Sequence, residues 1–325
     1  MPRKMMMTIA SGSIGLGPLP FNLHIQDSTG RMVLYGRKGV VITAELKESI
    51  DRNNRIFYIT HDDVDSYLDY TLDNIENVVS KKRISPKIKT TILKDAGRKI
   101  FSKIQDEQLT PKTIEHSEKF TRSVVDLILG SPEAYLSLLS LSKESSYLFD
   151  HSLNTCTFCV LVGIDLYGND EVKLFILGLG GLLMDIGMSY IDRDILGKDG
   201  KLSQEEWDIV KSHTDRGFEI LKEYELPIEV IEMVHYHHER MDGSGYPEGL
   251  QGDEIPEHVQ IASVCDVYDA LTSDRTYRKE HKHIAAINAM LNERQKYSQT
   301  VLESLMRVVI QNQDIISAML ARQVQ

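Results

Sequence analysis

Residues 174–187 read Leu174-Phe175-Ile176-Leu177-Gly178-Leu179-Gly180-Gly181-Leu182-Leu183-Met184-Asp185-Ile186-Gly187, and the fold turns on how this stretch is read. Lys173 and Asp185 bound eleven uninterrupted apolar residues, too few for a bilayer core that takes about 20. A helix that is apolar on every side belongs inside a protein core. An acidic residue at its very end is costly there unless a cation or good hydrogen bonds compensate. Gly178-Leu179-Gly180-Gly181 follows no strand and lacks the G-x-G-x-x-G spacing. These glycines are therefore expected to let a second helix approach closely, not to cradle a phosphate.

Working outward, the chain on both sides reads as helix. Ile88–Ile104, Pro111–Leu129, Pro132–Leu141, Leu148–Leu166, Gln204–Tyr224, Ile228–His237, His258–Thr272 and the tail from Ile284 carry apolar residues at helical spacing. Several open at Pro or just after Ser or Asp, as helix starts do. Strand signals gather at the front: Phe21–Gln26 and Arg31–Tyr35 flank the turn Asp27-Ser28-Thr29-Gly30, and Arg55–Thr60 is β-rich. Thr43–Arg52 and Asp62–Ser80 read as helices between and after them. The basic run Lys81-Lys82-Arg83 ahead of Ser85-Pro86 marks a boundary. The expectation is a mainly α protein: a small α+β domain over 1–85, a helical connector or dimer-forming pair over 86–145, and a helical domain over 146–325.

The 325 residues carry 37 Lys and Arg against 48 Asp and Glu, a formal charge of −11. An acidic surface argues against DNA or RNA as partner, because phosphate contacts need clustered cations. Three cysteines, Cys156, Cys159 and Cys265, give no disulfide framework and suit a reducing compartment. Cys156 and Cys159 form a lone C-x-x-C, read as packed core thiols. The N-terminus has no convincing apolar region for a signal peptide. A cytoplasmic protein without a membrane span is expected.

The informative residues are polar ones that interrupt these helices. His151 opens one, Asp185 ends the apolar run, His213 sits on another, His237 and His238 close a fourth, and Asp266 lies within Ile261–Val267. Imidazoles and carboxylates gathered from facing helices are how helical proteins build metal sites, and this donor set suits iron, manganese or zinc. Adjacent helical residues point about 100° apart. His237 and His238 serve one ion only if the helix ends there, and Met241-Asp242-Gly243-Ser244-Gly245 supplies an ending. His235 and His238, three apart, form a competing pair by spacing.

Four segments, MDIG (Met184–Gly187), SHTDRG (Ser212–Gly217), HHERMDGSGYPEGL (His237–Leu250) and DVYDALTSDRTYR (Asp266–Arg278), lie in the order and at the spacing of a known family. Over residues 146–310 the chain resembles the HD-GYP family, bacterial phosphodiesterases of the HD superfamily that hydrolyse cyclic di-GMP. The resemblance implies a helical HD bundle holding two divalent ions, iron favoured and manganese next. It implies that His151 and Asp266 bind the first ion, that Asp185 bridges both, and that His213, His237 and His238 bind the second. Gly245 and Tyr246 match the loop beside the nucleotide. Asp269, Arg275 and Arg278 match positions near the substrate phosphates and their supporting network. Some HD-superfamily proteins use such ligands for dioxygen chemistry, but the loop and paired arginines favour a phosphate substrate.

Three positions depart from the family pattern. Met184 stands where the dyad has histidine, Met188 where a phosphate-facing lysine is usual, and Tyr147 where trimetal members have glutamate. A thioether is a soft donor poorly matched to iron or manganese. The expectation is a phosphodiesterase of low activity on cyclic di-GMP or a related nucleotide. The alternative is a metal-containing nucleotide-binding or protein-interaction module without turnover, with a protein partner met through the N-terminal domain.

Overall fold

The structure, a computed structural model, describes residues 6–52, 56–81, 84–107, 109–131, 134–139, 147–198, 200–273 and 282–311. It divides into two compact units, Met1–Ser102 with Lys112–Ala134, and Lys103–Pro111 with Tyr135–Gln325.

The first unit is α+β, as expected. Strands β1 (Met6–Ala10), β2 (Gly17–Pro18), β3 (Leu23–Gln26), β4 (Met32–Gly36) and β5 (Val41–Ile42) precede helix α1 (Ala44–Arg52), and β6 (Ile56–Thr60) is followed by α2 (Val64–Asp73) and α3 (Ile75–Val79). A four-stranded antiparallel sheet runs β1-β6-β3-β4, and β2 pairs with β5. The turn between β3 and β4 forms where the sequence places it, with Gly30 at φ 82° and Asp27 Oδ1 accepting from Thr29 N and Arg31 N. Ile9, Leu23, Phe57, Ile59 and Tyr67 share the core with Phe21, whose ring meets Tyr67 and Tyr70 edge-on. The sequence reading gives β1 no element, and it draws α2 and α3 as one helix, whereas the chain breaks at Asn74.

Two long helices follow, α4 (Pro86–Glu107) and α5 (Pro111–Gly130). The division between the two units falls within residues 86–145, with 86–102 and 112–134 in the first unit. Specific contacts explain why most of them join the first. Ile92 shares a small apolar cluster with Val78 and Ile84, Lys99 reaches Asp65 at 2.8 Å, and the buried His116 meets Asp73 at 2.9 Å.

The second unit is helical: α6 (Ala134–Leu138), α7 (Tyr147–Tyr167), α8 (Glu171–Leu183), α9 (Arg193–Leu196), α10 (Gln204–Lys211), α11 (His213–Leu221), α12 (Ile228–Tyr236), α13 (Glu257–Ser273), α14 (Lys282–Asn292) and α15 (Gln299–Gln311). Helix α7 packs against α8, α13 and α15, and α12 packs against α8. The expected close approach is found at Gly181. A Cβ there would lie 3.0 Å from Thr155 O and Cys156 N, and Thr155 Oγ1 donates to Gly181 O at 2.8 Å. At the far end of α7, Asp165 accepts from Ser304 Oγ at 2.7 Å and from Arg307 Nη2 at 2.7 Å, latching α15 in place. Cys156, Cys159 and Cys265 are buried free thiols, matching the core reading. The stretch Glu171–Tyr190 is apolar and long enough by composition to cross a bilayer, but 67% of it is buried inside the fold, as a core helix is.

Candidate metal centre

Local structure turns each polar residue inward. Asp170 caps α8 by accepting from Lys173 N, and the helix runs out at Met184, so Asp185 stands free of the helical ladder ahead of a short 3-10 turn. Sequence periodicity joins Gln204–Tyr224 into one helix, whereas the chain breaks at Ser212, whose hydroxyl donates to Ile209 O at 2.6 Å. Such back-bonding bends helices, and here it lets His213 open α11 facing the cluster. Helix α12 stops at Tyr236, with Glu239 N donating to Tyr236 O, which is the ending that His237 and His238 require. His235 of the competing pair is spoken for elsewhere. It bonds Asp215 at 2.9 Å and stacks on Phe218.

All six expected ligands come together. One ligand atom each of Asp185, His213, His237 and His238 lies within 4.8 Å of the others. Asp185 Oδ1 is 3.4 Å from His213 Nε2 and 3.6 Å from His237 Nε2, while its Oδ2 is 3.3 Å from His151 Nε2. Asp266 completes the group, with Oδ1 3.2 Å from His151 Nε2 and Oδ2 3.5 Å from His238 Nδ1.

Hydrogen bonds fix the tautomers. His213 Nδ1 lies 2.7 Å from Val210 O, and His237 Nδ1 lies 3.0 Å from Val234 O. A carbonyl only accepts, so both Nδ1 atoms carry hydrogen, and in the neutral ring, the ligating form, Nε2 is then the atom that presents a lone pair. Those two Nε2 atoms face each other at 3.3 Å. Two facing acceptors repel unless a cation lies between or beside them, so the donor set fits a metal ion. His151 is arranged alike: Nδ1 lies 2.7 Å from Asp269 Oδ2, leaving Nε2 toward Asp185 and Asp266.

Charge in the cluster follows from these contacts. Burial raises the carboxyl of Asp185, but hydrogen bonds from His151 and His237 outweigh it and hold the group well below the usual range. Burial also works against Asp266, yet the hydrogen bond from His151 brings it down to about 2. At His151 burial lowers the pKa, and the carboxylates of Asp185, Asp266 and Asp269 overturn that, holding it well above the ordinary value, so without metal both ring nitrogens carry hydrogen and a bound ion would displace the one on Nε2. At His213 and His238 burial prevails and favours neutral imidazole, the ligating form.

The loop after His238 stands against this cluster. The Tyr246 ring lies 4.7 Å from the His238 ring, and Tyr246 N donates to His238 O. Gly245 is required there: a Cβ would fall 2.5 Å from His238 O, Glu239 Cα and Arg240 N. Asp269, expected near the substrate phosphates or in their supporting network, sits 2% exposed behind His151, with Asn154 Nδ2 donating to its other oxygen at 2.9 Å. It backs the imidazole from within the core. Met184 is fully buried. Arg275 and Arg278 lie outside the described residues. Sequence reasoning missed Asn154 and Glu239, for neither interrupts an apolar pattern at a ligand position. The one available signal was that Glu239 directly follows two suspected ligands.

Residues 149–301 match the family model described as HD domain. Among curated proteins, the chain is 33% identical over 195 residues to a cyclic di-GMP phosphodiesterase of Pseudomonas aeruginosa, covering 60% of this chain and 47% of that one. It is 40% identical over 115 residues to a 3'3'-cGAMP-specific phosphodiesterase of Vibrio cholerae, covering 35% of this chain and 22% of the relative. The alignments thus span less than half the length of either relative. A solved structure of an HDG"Y"P protein from Bdellovibrio bacteriovorus superposes over 94% of this chain and 99% of that one, with TM-score 0.65 and 19% identity, a likeness of fold.

Proposed function

We propose that the helical unit is a metal-dependent phosphodiesterase that hydrolyses a cyclic dinucleotide, cyclic di-GMP first, at two divalent ions, iron favoured and manganese next. The observation that carries this reading is the pair of Nε2 atoms of His213 and His237, 3.3 Å apart beside Asp185, with both Nδ1 atoms donating to carbonyls, within the stretch that matches the HD domain model. In this arrangement His151, Asp185 and Asp266 would hold one ion, and Asp185, His213, His237 and His238 would hold the other. Divalent ions there supply positive charge that polarises a phosphoryl group and acidifies water. The chain's own residues do the rest. Val210 O and Val234 O orient the rings of His213 and His237 by their Nδ1 atoms, Asp269 orients that of His151, and Tyr246 offers an aromatic face to a base. Arg275 and Arg278 are assigned the phosphate oxygens, which guanidinium groups clamp bidentately.

The names of the relatives support the substrate class, and having both cyclic di-GMP and 3'3'-cGAMP among them makes the base pair recognised part of the test. Met184 and Met188 lower the expected rate. The buried Met184 thioether also favours a second reading, a module that binds nucleotide without turnover. Purified protein reconstituted with iron or manganese is expected to convert cyclic di-GMP to linear pGpG or GMP, faster than it converts 3'3'-cGAMP. No product at high enzyme concentration would refute the enzymatic reading. Tight nucleotide binding by calorimetry without product would establish the second.

A further inference from the structure

We propose that Glu239 is a positioning residue whose carboxylate holds the loop bearing Tyr246 against the ligand turn, so that it sets nucleotide affinity without holding metal. The proposal deepens the function above and rests on the reading that a cyclic dinucleotide binds at Tyr246. Glu239 directly follows His237 and His238, yet its side chain turns away from the cluster. It is 1% exposed, and its oxygens accept from three successive backbone amides: Glu248 N at 2.7 Å, Gly249 N at 3.0 Å and Leu250 N at 3.0 Å. A buried carboxylate is costly unless its acceptor capacity is filled. Three aligned N–H donors fill it, as in other backbone concavities that hold anions.

The loop is thereby pinned at both sides of Tyr246. On one side Tyr246 N donates to His238 O, and on the other the 248–250 amides close on Glu239. The neighbouring Arg240 ties the same turn to α13. Its Nη1 reaches His237 O at 3.1 Å, Glu239 O at 2.9 Å and Ser263 Oγ at 2.6 Å. Releasing the carboxylate leaves this second tie, and with it the backbone of His237 and His238, in place. The loop and its tyrosine are what move.

Glu239→Gln tests this. An amide offers one oxygen and two N–H groups to three N–H donors, so at least one donor loses its acceptor. Amide hydrogen exchange at residues 248–250 is expected to quicken about tenfold or more, the worth of one charge-assisted bond. Metal content by plasma emission should equal that of the unsubstituted protein. KM for cyclic di-GMP should rise on the order of tenfold with kcat changed by less than about twofold, as for lost binding. Tyr246→Ala should raise KM comparably, and the double variant should add little to either, as coupled residues do. Unchanged exchange at 248–250, loss of metal, additive effects of the two variants, or a fall in kcat equal to the rise in KM would each overturn the proposal. If the unsubstituted protein hydrolyses no cyclic dinucleotide, the proposed enzymatic function fails, and exchange with Kd by calorimetry decides the role of Glu239.

Discussion

Asp269→Asn takes one negative charge from a buried carboxyl that touches His151 and Asn154 and keeps its shape. One oxygen of the native group accepts from His151 Nδ1 at 2.7 Å and the other from Asn154 Nδ2 at 2.9 Å. An amide has one oxygen. If that oxygen turns to His151, its NH2 confronts the NH2 of Asn154. If it turns to Asn154, its NH2 faces His151 Nδ1, and the imidazole must move its proton to Nε2. That atom is the one aimed at Asp185 and Asp266, 3.3 and 3.2 Å away, and a protonated Nε2 is no ligand. Losing such a backing carboxylate typically costs 10–100-fold in metal affinity, or roughly 1.4–2.7 kcal/mol. The four groups Asp185, His213, His237 and His238 do not touch Asp269, so one equivalent should bind as before. Titration of manganese against a competing chelator, with metal counted after desalting, should show one unaltered step and one weakened 10–100-fold. Two unaltered steps, or the joint loss of both in a protein with normal circular dichroism, would refute the account of His151.

Asp185→Ala should lower both metal equivalents together, since this carboxylate faces His151 with one oxygen and His213 and His237 with the other; plasma emission on the dialysed variant decides it. Asp266 is depressed from 3.8 to about 2, so it contributes on the order of 2 kcal/mol that is present above pH 4 and lost as pH falls through 2. Urea midpoints with chelator present should drop between pH 4 and pH 2, and Asp266→Asn should flatten that slope. Met184→His with Met188→Lys should raise turnover of cyclic di-GMP, the lysine alone strengthening phosphate binding about ten- to a hundredfold. A steady-state assay showing no gain would mean that these two positions are not what limits the rate.

The helical unit was legible because its helices are long and their apolar residues recur at helical spacing, a property local to each segment. The break at Ser212 was not, since it depends on a side chain bonding its own helix, and Ser is common within helices that continue. Strand β1 was hidden for a different reason. Met6–Ala10 becomes a strand by pairing with Ile56–Thr60, a partner about fifty residues away that no local window contains. The six clustered residues stood out because each places charge or an imidazole where the apolar pattern calls for neither. Asp269 entered only through the family resemblance, and its direction was not legible: spacing along α13 says which residues share a face, not which of them backs another. Glu239 and Asn154 work through backbone amides and a second carboxylate, and such partners leave no periodic trace.

The grip of Ser304 and Arg307 on Asp165 bears on where this protein can be trimmed. Asp165 closes the end of α7 opposite His151, and Val301, Leu302 and Leu305 lie buried beside the same contacts. A truncated version that stops short of Arg307 would strip an apolar flank from the helix that carries the first imidazole of the cluster. Its metal content and its solubility should therefore fail together, although the missing piece holds none of the expected ligands.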